Sequence, residues 1–394
     1  MFKKNLVLSM LVVVVLLAAA CAPAATPAPA QPVATQAPAQ PAATEAPAQP
    51  AAQGTNMDEL VKAAQAEGML TVIALPHDWC NYGEVIETFS KKYGIKVNEL
   101  NPDGSSADEL EAIKANKDNK GPQAPDVVDV GLAFGPQMVA EDLVQPYKVS
   151  TWDTIPDEMK DKDGNWWGDF FGVMAFEVNK DLITNVPQDF ADLLKPEFKG
   201  QIALSGDPRS SAQAQNAIIA AALANGGSLD NVEPGLQYFK KLNDAGNFVP
   251  VAGKQMTVAK GETPVLFRWD FNALADKAIL AGNPNVEVVI PKSTSLAGLY
   301  VQAISKYAPH PNAAKLWEEF LYSDEGQLLW LKGFCHPARY ADLDKRGVIP
   351  AELAAQLPPA EYYAKAVFPG IEQLNKAKEF IANNWSTIVG ADVK

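Results

Sequence analysis

WWGDFFGVMAFEVN, residues 166–179, is the stretch that decides the fold. It is rich in aromatic and β-branched side chains, which favour strands. We interpret it as one or two strands that leave a first lobe of the protein. Residues 286–291, Val-Glu-Val-Val-Ile-Pro, are predicted to form a strand that returns to that lobe. Two such crossings predict two lobes joined by a hinge.

The residues before this stretch repeat a strand, loop and helix pattern three times. Runs with the length of strands occur at 69–75, 95–100 and 126–131, and the first of them is continuously apolar, as in a buried parallel strand. Asn81-x-x-Glu84 and Ser106-x-x-Glu109 match the capping-box signature of a helix start. Three successive βα units predict an α/β lobe with a parallel sheet.

A second α/β pattern follows the stretch. Residues 201–204 predict a strand, and Asp207-Pro208 predicts a helix start with proline at the first helical position. Residues 264–267 predict a strand that opens onto a loop at 268–270. The whole pattern predicts an α/β, two-lobed clamshell with parallel-rich sheets and a hinge. We expect the first lobe to comprise residues 55–177 and 289–394, and the second lobe residues 178–288.

The N-terminus has the features of an export signal. Lys3 and Lys4 precede an apolar run, which ends in small residues before Cys21, so residues 1–21 are predicted to be a signal peptide. The small residues before Cys21 resemble the lipobox of bacterial lipoproteins, although Ala18 stands where that motif usually has leucine. This resemblance implies that Cys21 is acylated and anchors the chain to the outer face of the cell membrane.

Residues 22–54 are almost entirely alanine, proline, glutamine and threonine. Such a segment cannot bury a core, so we predict a disordered tether. In an extended polyproline conformation of ~3.1 Å per residue, it would hold a folded domain up to about 100 Å from its anchor.

Charge and cysteine content narrow the function. The formal net charge of −14 makes nucleic acid an improbable partner. Once Cys21 is set aside, Cys80 and Cys335 remain, and two cysteines in an exported domain most often form a disulfide. The rival interpretation is a metal site, because His77 and His336 lie beside these thiols and complete a zinc-like ligand set.

An exported cysteine-dependent or metal-dependent enzyme that uses His77, Cys80, Cys335 and His336 is therefore the alternative function. No G-x-S-x-G, H-E-x-x-H or P-loop motif occurs in the sequence. We therefore predict that the chain is not an enzyme and that it uses no cofactor and no metal. A structural surface lipoprotein is a third class, and it would not close around a solute.

Candidate binding residues come from the loops at the carboxyl ends of the predicted strands, where α/β folds bind ligands. They combine aromatic, acidic, basic and hydroxyl side chains, and they are Asp78, Trp79, Asn81, Tyr82, Ser105, Ser106, Asp129, Phe176, Arg209, Ser210, Arg268, Trp269, Asp270 and Tyr300. Several have plain structural alternatives. Asp78 could cap a helix, Arg268 and Asp270 could form a surface pair, and Phe176 could belong to the core.

The charge of the ligand stays open at this point. The carboxylates of Asp78, Asp129 and Asp270 favour a cation, whereas Arg209 and Arg268 favour an anion. A zwitterion would satisfy both groups. We predict a small polar solute, either a polyamine-like amine or an amino-phosphonate.

Four stretches carry a resemblance to a known family. They are Val288-Val289-Ile290-Pro291, the helix 312–321, Ser323-Asp324-Glu325-Gly326-Gln327, and Ser205-Gly206-Asp207-Pro208. They resemble the extracellular solute-binding proteins of bacterial ABC importers, with the type II periplasmic-binding-protein fold, in the branch of iron, thiamine, polyamine and phosphonate binders. The resemblance implies a protein that captures a small solute and delivers it to a permease in the cytoplasmic membrane. We also predict a monomer. Ferric binders carry adjacent tyrosines where this chain has Arg268-Trp269, which argues against phenolate-bound iron.

Overall fold

The computed structural model describes residues 56–394. The predicted signal peptide 1–21, with Cys21, and the predicted tether 22–54 lie outside these residues. Within 56–394, every helix is too short or too polar to span a lipid bilayer.

The strands and helices alternate as in an α/β protein. The strands are β1 (Met69–Ile73), β2 (Lys96–Leu100), β3 (Val127–Gly131), β4 (Val144–Gln145), β5 (Trp167–Asn179), β6 (Ile202–Leu204), β7 (Phe248–Ala252), β8 (Val265–Trp269), β9 (Val286–Val289), β10 (Ala297–Ser305) and β11 (His336–Pro337). The helices are α1 (Met57–Glu67), α2 (Tyr82–Tyr93), α3 (Ser106–Ala115), α4 (Gly135–Ala140), α5 (Ala212–Ala224), α6 (Glu233–Asp244), α7 (Gln255–Ala259), α8 (Asp270–Leu280), α9 (Pro311–Leu321), α10 (Asp324–Lys332), α11 (Tyr340–Lys345), α12 (Ala351–Ala354), α13 (Ala360–Ala364) and α14 (Ile371–Val389).

Strand β5 joins two sheets because it is long enough to belong to both. Its first half pairs with β10 and β11, and from Met174 onward it pairs with β8 and β9. We call the first lobe the group of β1, β2, β3, β10 and the first half of β5, and the second lobe the group of β6 to β9 and the second half of β5. The chain returns to the first lobe between β9 and β10. The predicted crossing through β5 is therefore present, whereas the predicted return strand 286–291 contains β9, which stays in the second lobe, and the chain returns through β10 instead.

The sheets are mixed in direction. Pairing is parallel between β1 and β2 and within the set β7-β6-β8, whereas β5 and β10 run antiparallel to all their partners. The sheets are thus less parallel than the βα pattern indicated, because the two strands that connect the lobes run against their neighbours. The buried apolar cluster continues along β5 from one lobe into the other, through Phe170, Met174 and Phe176.

The predicted helix starts shift slightly in the structure. Asn81 precedes α2 in the left-handed region, at φ 64°, and its side chain makes no capping hydrogen bond. The capping box of α3 uses Ser105 and Asp108 instead of Ser106 and Glu109. The predicted loop at 268–270 does not exist, because β8 ends at Trp269 and α8 begins at Asp270.

The predicted lobe boundaries at 177 and 288 stay predictions. Helix α14, near the C-terminus, contacts both lobes. Trp385 packs on Phe239 of α6 with ring centroids 5.8 Å apart, and Lys378 donates to Gln137 Oε1 of the first lobe at 2.7 Å.

Candidate functional site

A cleft of about 480 Å³ lies between the two lobes. The first lobe contributes the segment after β1, the start of α3, and side chains from β3 and β10. The second lobe contributes residues 205–207 and 210–213, residues 252–256 and Arg268. Because each segment follows or ends a strand, the cleft lies where α/β folds place their ligands.

Eight of the predicted site residues line this cleft, and six do not. Those that line it are Asp78, Trp79, Ser105, Ser106, Asp129, Ser210, Arg268 and Tyr300. Those that lie elsewhere are Asn81, Tyr82, Phe176, Arg209, Trp269 and Asp270. Placement in the cleft is a geometric result, and solute contact by any of the eight remains a prediction.

The floor of the cleft is acidic and hydrogen-bonded. Asp129 Oδ2 accepts from the Tyr82 hydroxyl at 2.7 Å, and Gln302 Nε2 donates to that hydroxyl at 3.0 Å and to Asp169 Oδ2 at 3.0 Å. The backbone N–H of Asp129 donates to Glu109 Oε2 at 2.9 Å. Three carboxyl groups therefore meet in one buried cluster.

Burial raises the pKa of each of these three carboxyl groups. Burial raises the pKa of Asp129 to about 6. Its hydrogen bonds with Asp169 and Tyr82 lower the pKa and so offset part of this rise. Burial and the charge of Asp129 raise the pKa values of Asp169 and Glu109 well above their usual range. Because the pKa of Asp129 lies below neutral pH, Asp129 carries a negative charge on the floor.

Aromatic rings form one wall above this floor. The Trp79 indole lies edge-on to Tyr300, with centroids 5.2 Å apart, and edge-on to Phe271 of α8, with centroids 5.4 Å apart. Trp79 is half-buried, and Tyr300 is almost fully buried. The wall thus offers an indole to a solute in the cleft while its other contacts fix the ring.

The serine residues mainly stabilise helix starts. Ser105 Oγ donates to Asp108 Oδ2 at 2.7 Å, and Ser106 Oγ accepts from the Gly131 N–H at 3.1 Å. The Ser210 N–H donates to the Asp207 carbonyl at 3.0 Å in the turn before α5. Each of the three residues therefore has a hydrogen-bond partner within the protein.

Arg268 reaches the cleft but is already engaged. It forms ion pairs with Asp276 and, at 3.4 Å, with Glu177 Oε2, and both carboxylates are buried. The alternative of a surface pair between Arg268 and Asp270 is not found. A solute anion would have to share this guanidinium with two buried carboxylates.

Two predicted residues of the first loop support the cleft from behind. Tyr82 is fully buried and contacts the floor through its hydroxyl. Asn81 Nδ2 donates to Glu84 Oε2 at 2.9 Å and to the Leu329 carbonyl at 3.2 Å. Both residues hold the loop against α2 and α10 and do not face a solute.

Phe176, Trp269 and Asp270 belong to the core of the crossing. Phe176 packs edge-on against Phe267 at 5.2 Å, as its structural alternative predicted. Trp269 Nε1 donates to the Tyr300 hydroxyl at 3.3 Å, and Asp270 accepts from the Val173 N–H at 2.8 Å and from the Tyr363 hydroxyl at 2.6 Å. Burial raises the pKa of Asp270 to about 6.

Gly298 leaves room for the Trp269 indole in the core. It pairs with Gly172 across β10 and β5, and a side chain at Gly298 would overlap the Trp269 indole. A side chain at Gly172 would overlap Phe271 and Asp270.

Arg209 turns away from the cleft. Its guanidinium binds the Asp207 carboxylate, with Nη2 2.7 Å from Oδ2, and its Nη1 lies 3.1 Å from Asp392 Oδ1. The predicted anion site therefore lacks this cation.

The sequence interpretation missed the second-lobe segment 252–256. Lys254 Nζ lies 3.0 Å from Asp103 Oδ2 of the first lobe, so this ion pair spans the cleft. Gln255 and Met256 line the cleft beside it. A strand in the sequence could have located this segment. The strand is β7, Phe248–Ala252, which follows Gly246, lies at a sheet edge and contains Pro250.

The two cysteines form the predicted disulfide, with Cα atoms 5.5 Å apart. It joins the loop after β1 to the turn after α10. Neither thiol is therefore available as a metal ligand or nucleophile. His77 Nε2 lies 2.7 Å from Glu99 Oε2, and His336 stacks near Phe171, where burial lowers its pKa to about 3. Residues 56–394 contain no cluster of His, Cys, Asp and Glu side chains that could hold a metal ion.

Comparison with known proteins identifies the class. A family model of bacterial extracellular solute-binding proteins matches residues 123–377, and the chain belongs to this family. An uncharacterized protein of Haemophilus influenzae is 27% identical over 292 residues, which are 69% of this chain and 78% of that protein.

Two solved structures show the same fold. The periplasmic binding protein AfuA from Actinobacillus pleuropneumoniae, with fructose-6-phosphate bound, is 24% identical, with a TM-score of 0.63 over 82% of this chain and 98% of that one. The spermidine/putrescine ABC transporter substrate-binding protein PotD of Streptococcus pneumoniae is 18% identical, with a TM-score of 0.53 over 76% and 92%.

The chain is thus the solute-binding component of an ABC transporter. It is an exported protein that binds a small solute and delivers it to a permease. The predicted type II clamshell fold is confirmed. The family consists of transport-associated binding proteins and not of enzymes.

Proposed function

We propose that the cleft is the solute site and that it captures a small polar molecule with a protonated amine, such as a polyamine-like amine. The charge of the lining supports this. It has six carboxyl groups and two cations, Lys254 and Arg268. Both cations already have carboxylate partners, so the cleft offers more negative than positive charge to a solute.

The single observation that carries the proposal is the position of Asp129. It is an ionised member of a buried carboxyl cluster, it faces the cleft, and Tyr300 of the aromatic wall lies nearby. An ammonium group that approaches Asp129 would also meet the ring of Trp79, and aromatic faces attract cations. Charge-assisted hydrogen bonds of this kind contribute about 1.5–3 kcal/mol.

An amino-phosphonate is the second candidate, and one observation favours it. Ala212 and Gln213, in the first turn of α5, line the cleft opposite the first lobe. Backbone N–H groups in a first helical turn have no partner within the helix and bind anions. A solute with an amine at Asp129 and a phosphonate at α5 would use both ends of the cleft.

We expect spermidine and putrescine to raise the melting temperature of the purified protein in differential scanning fluorimetry. A ligand at 100 times its dissociation constant adds about 2.7 kcal/mol of stability. The comparison set contains 2-aminoethylphosphonate, inorganic phosphate and fructose-6-phosphate. A larger shift with 2-aminoethylphosphonate than with the amines would favour the second candidate. Shifts with phosphate compounds alone would refute the amine proposal.

Asp129→Asn tests the contact itself, with Asp163→Asn on the exposed surface as the matched control. We expect the first change to weaken amine affinity by about tenfold or more and the second to leave it unchanged. In the parent chain, affinity should fall by about tenfold between neutral pH and pH 5, because the pKa of Asp129 is about 6 and its protonation removes the charge. An amine affinity that is equal in parent and Asp129→Asn chains contradicts the assignment.

We further propose that the protein is a monomeric lipoprotein, cut after residue 20 and anchored through acylated Cys21. When the full chain is expressed in bacteria fed with an alkyne-labelled fatty acid, we expect label on the parent chain and none on Cys21→Ala. The altered chain should leave the membrane fraction. An unlabelled parent chain would show that the lipobox resemblance is misleading.

A further inference from the structure

A second cavity, of about 270 Å³, lies beside the cleft. It is lined by Gly131, Leu132 and Ala133 after β3, by one face of α5, by the start of β10 and by residues 368–374. Within residues 56–394, Ala212 is the one residue that lines both spaces. A Cβ added to Gly131 would lie 2.7 Å from the Ala212 Cβ, so these two residues touch and separate the cavity from the cleft.

The interior of this cavity is mainly apolar. Leu132, Ile219, Leu299 and Leu374 line it from three directions, and Ile219 is almost fully buried. Apolar cavities of about 150 Å³ bind benzene. A space of this size therefore accommodates one aromatic ring with a short substituent, or a short alkyl chain.

Two side chains of α5 that line the cavity, Gln215 and Asn216, each have a polar atom without a hydrogen-bond partner among residues 56–394. Gln215 is 4% exposed, and its Nε2 has no hydrogen-bond partner among residues 56–394. Asn216 Nδ2 donates to the Ala212 carbonyl at 2.9 Å, whereas its Oδ1 has no partner in the same part of the chain. Buried amide groups of native proteins are usually paired, so these two unpaired atoms leave the α5 wall of the cavity with unsatisfied polar groups behind its surface.

A lysine without a carboxylate partner stands at the rim. Lys378 Nζ donates to Gln137 Oε1 at 2.7 Å and lies 3.5 Å from the centre of the Phe134 ring. Burial lowers its pKa to about 8, against which the charge of nearby Glu141 acts, but Glu141 forms its ion pair with Lys114 at 2.5 Å and Lys378 forms none with residues 56–394. Glu158 also lines the cavity, but it is exposed at the mouth. The local charge therefore favours an anionic group beside Lys378.

We propose that this cavity is a second ligand site, for a small apolar monocarboxylate such as an arylcarboxylate or a short-chain fatty acid. The carboxylate accepts from the Lys378 ammonium, and the apolar part contacts Leu132, Ile219 and Leu299. The lining comes from the first lobe, from α5 of the second lobe and from the connecting strand β10. An occupant therefore contacts both lobes, and any effect that it has on solute affinity must be matched by an equal effect of solute on its own affinity.

Benzoate and hexanoate are the probes, and isothermal titration calorimetry of the purified protein is the measurement. Benzyl alcohol and benzylamine serve as neutral and cationic controls of the same shape. We expect benzoate to bind with one-to-one stoichiometry, and any benzylamine binding to occur in the cleft, so that Asp129→Asn removes it and Lys378→Met does not. Lys378→Met should weaken benzoate by about tenfold or more, whereas Lys376→Met, an exposed lysine on the same helix, should change nothing.

Two further variants locate the site. Ile219→Phe fills the cavity and should abolish benzoate binding, while Asp129→Asn in the cleft should leave it unchanged. The proposal is overturned if benzoate and hexanoate fail to saturate the folded parent chain at millimolar concentrations, or if Lys378→Met binds benzoate as the parent does. Loss of benzoate binding in Asp129→Asn would also overturn it, since the ligand would then lie in the cleft. Circular dichroism of each variant verifies folding, and none of these outcomes depends on the identity of the cleft solute.

Discussion

A chain with both Cys80→Ser and Cys335→Ser is expected to unfold with a free energy about 4 kcal/mol lower than that of the parent. The disulfide joins residues 255 positions apart, so it removes much chain entropy from the unfolded state. It also holds backbone in the left-handed region at Cys80, Asn81 and Phe334, with φ of 46°, 64° and 67°. Urea unfolding followed by circular dichroism measures the difference.

A reductant provides the control for this prediction. It should lower the stability of the parent to that of the double variant and leave the double variant unchanged. Trp79 precedes Cys80 in the aromatic wall, so we also expect weaker solute binding without the bond, because the loop is less preorganised. Equal unfolding midpoints of parent and double variant would show that the bond does not stabilise this loop.

Arg268→Met is expected to lower the free energy of unfolding by about 3–5 kcal/mol. The change leaves the carboxyl groups of Glu177 and Asp276 buried against each other with no cation between them. Burial already raises the pKa values of both groups, and the loss of Arg268 must raise them further. Denaturant unfolding at several pH values measures the cost.

The cost should depend on pH in a definite direction. A carboxyl group whose pKa is higher in the folded than in the unfolded state binds more protons when folded, so its contribution to stability is lost as pH rises. The deficit of Arg268→Met should therefore be largest at neutral and alkaline pH and shrink toward acid pH. Arg346→Met is the matched control, because Arg346 pairs with Asp324 and Asp342 on the surface, and its loss should cost less than about 1 kcal/mol. Equal costs for the two variants would contradict the prediction.

Sequence patterns predicted the α/β fold because the spacing of apolar residues reflects which side chains are buried. The crossing at 166–179 and the disulfide partners were predicted from composition and spacing, whereas the predicted return strand 286–291 stays in the second lobe and β10 makes the return. The predicted loop after the first strand likewise placed Trp79 at the cleft, whereas Asp129 and Arg268 reach it from within strands β3 and β8. The features with which the structure agrees depend on local sequence or on the small number of cysteines.

The direction of individual side chains could not be predicted in the same way. Arg268 and Trp269 are neighbours, yet they lie on opposite faces of β8, so one reaches the cleft and the other enters the core. Arg209 turns away because Asp392, far along the chain, lies beside it. Lys254 was missed because the strand before it is short, lies at an edge and contains proline.

The close approach of the Trp269 indole to Gly298 has a practical consequence for optical assays. The ring belongs to the second lobe, whereas Gly298 and Tyr300, which it contacts, belong to a strand of the first. A rotation of one lobe against the other must change the electric field and the hydrogen bond at this chromophore. The fluorescence of Trp269 should therefore report rotation of the lobes, and no dye need be attached near the solute.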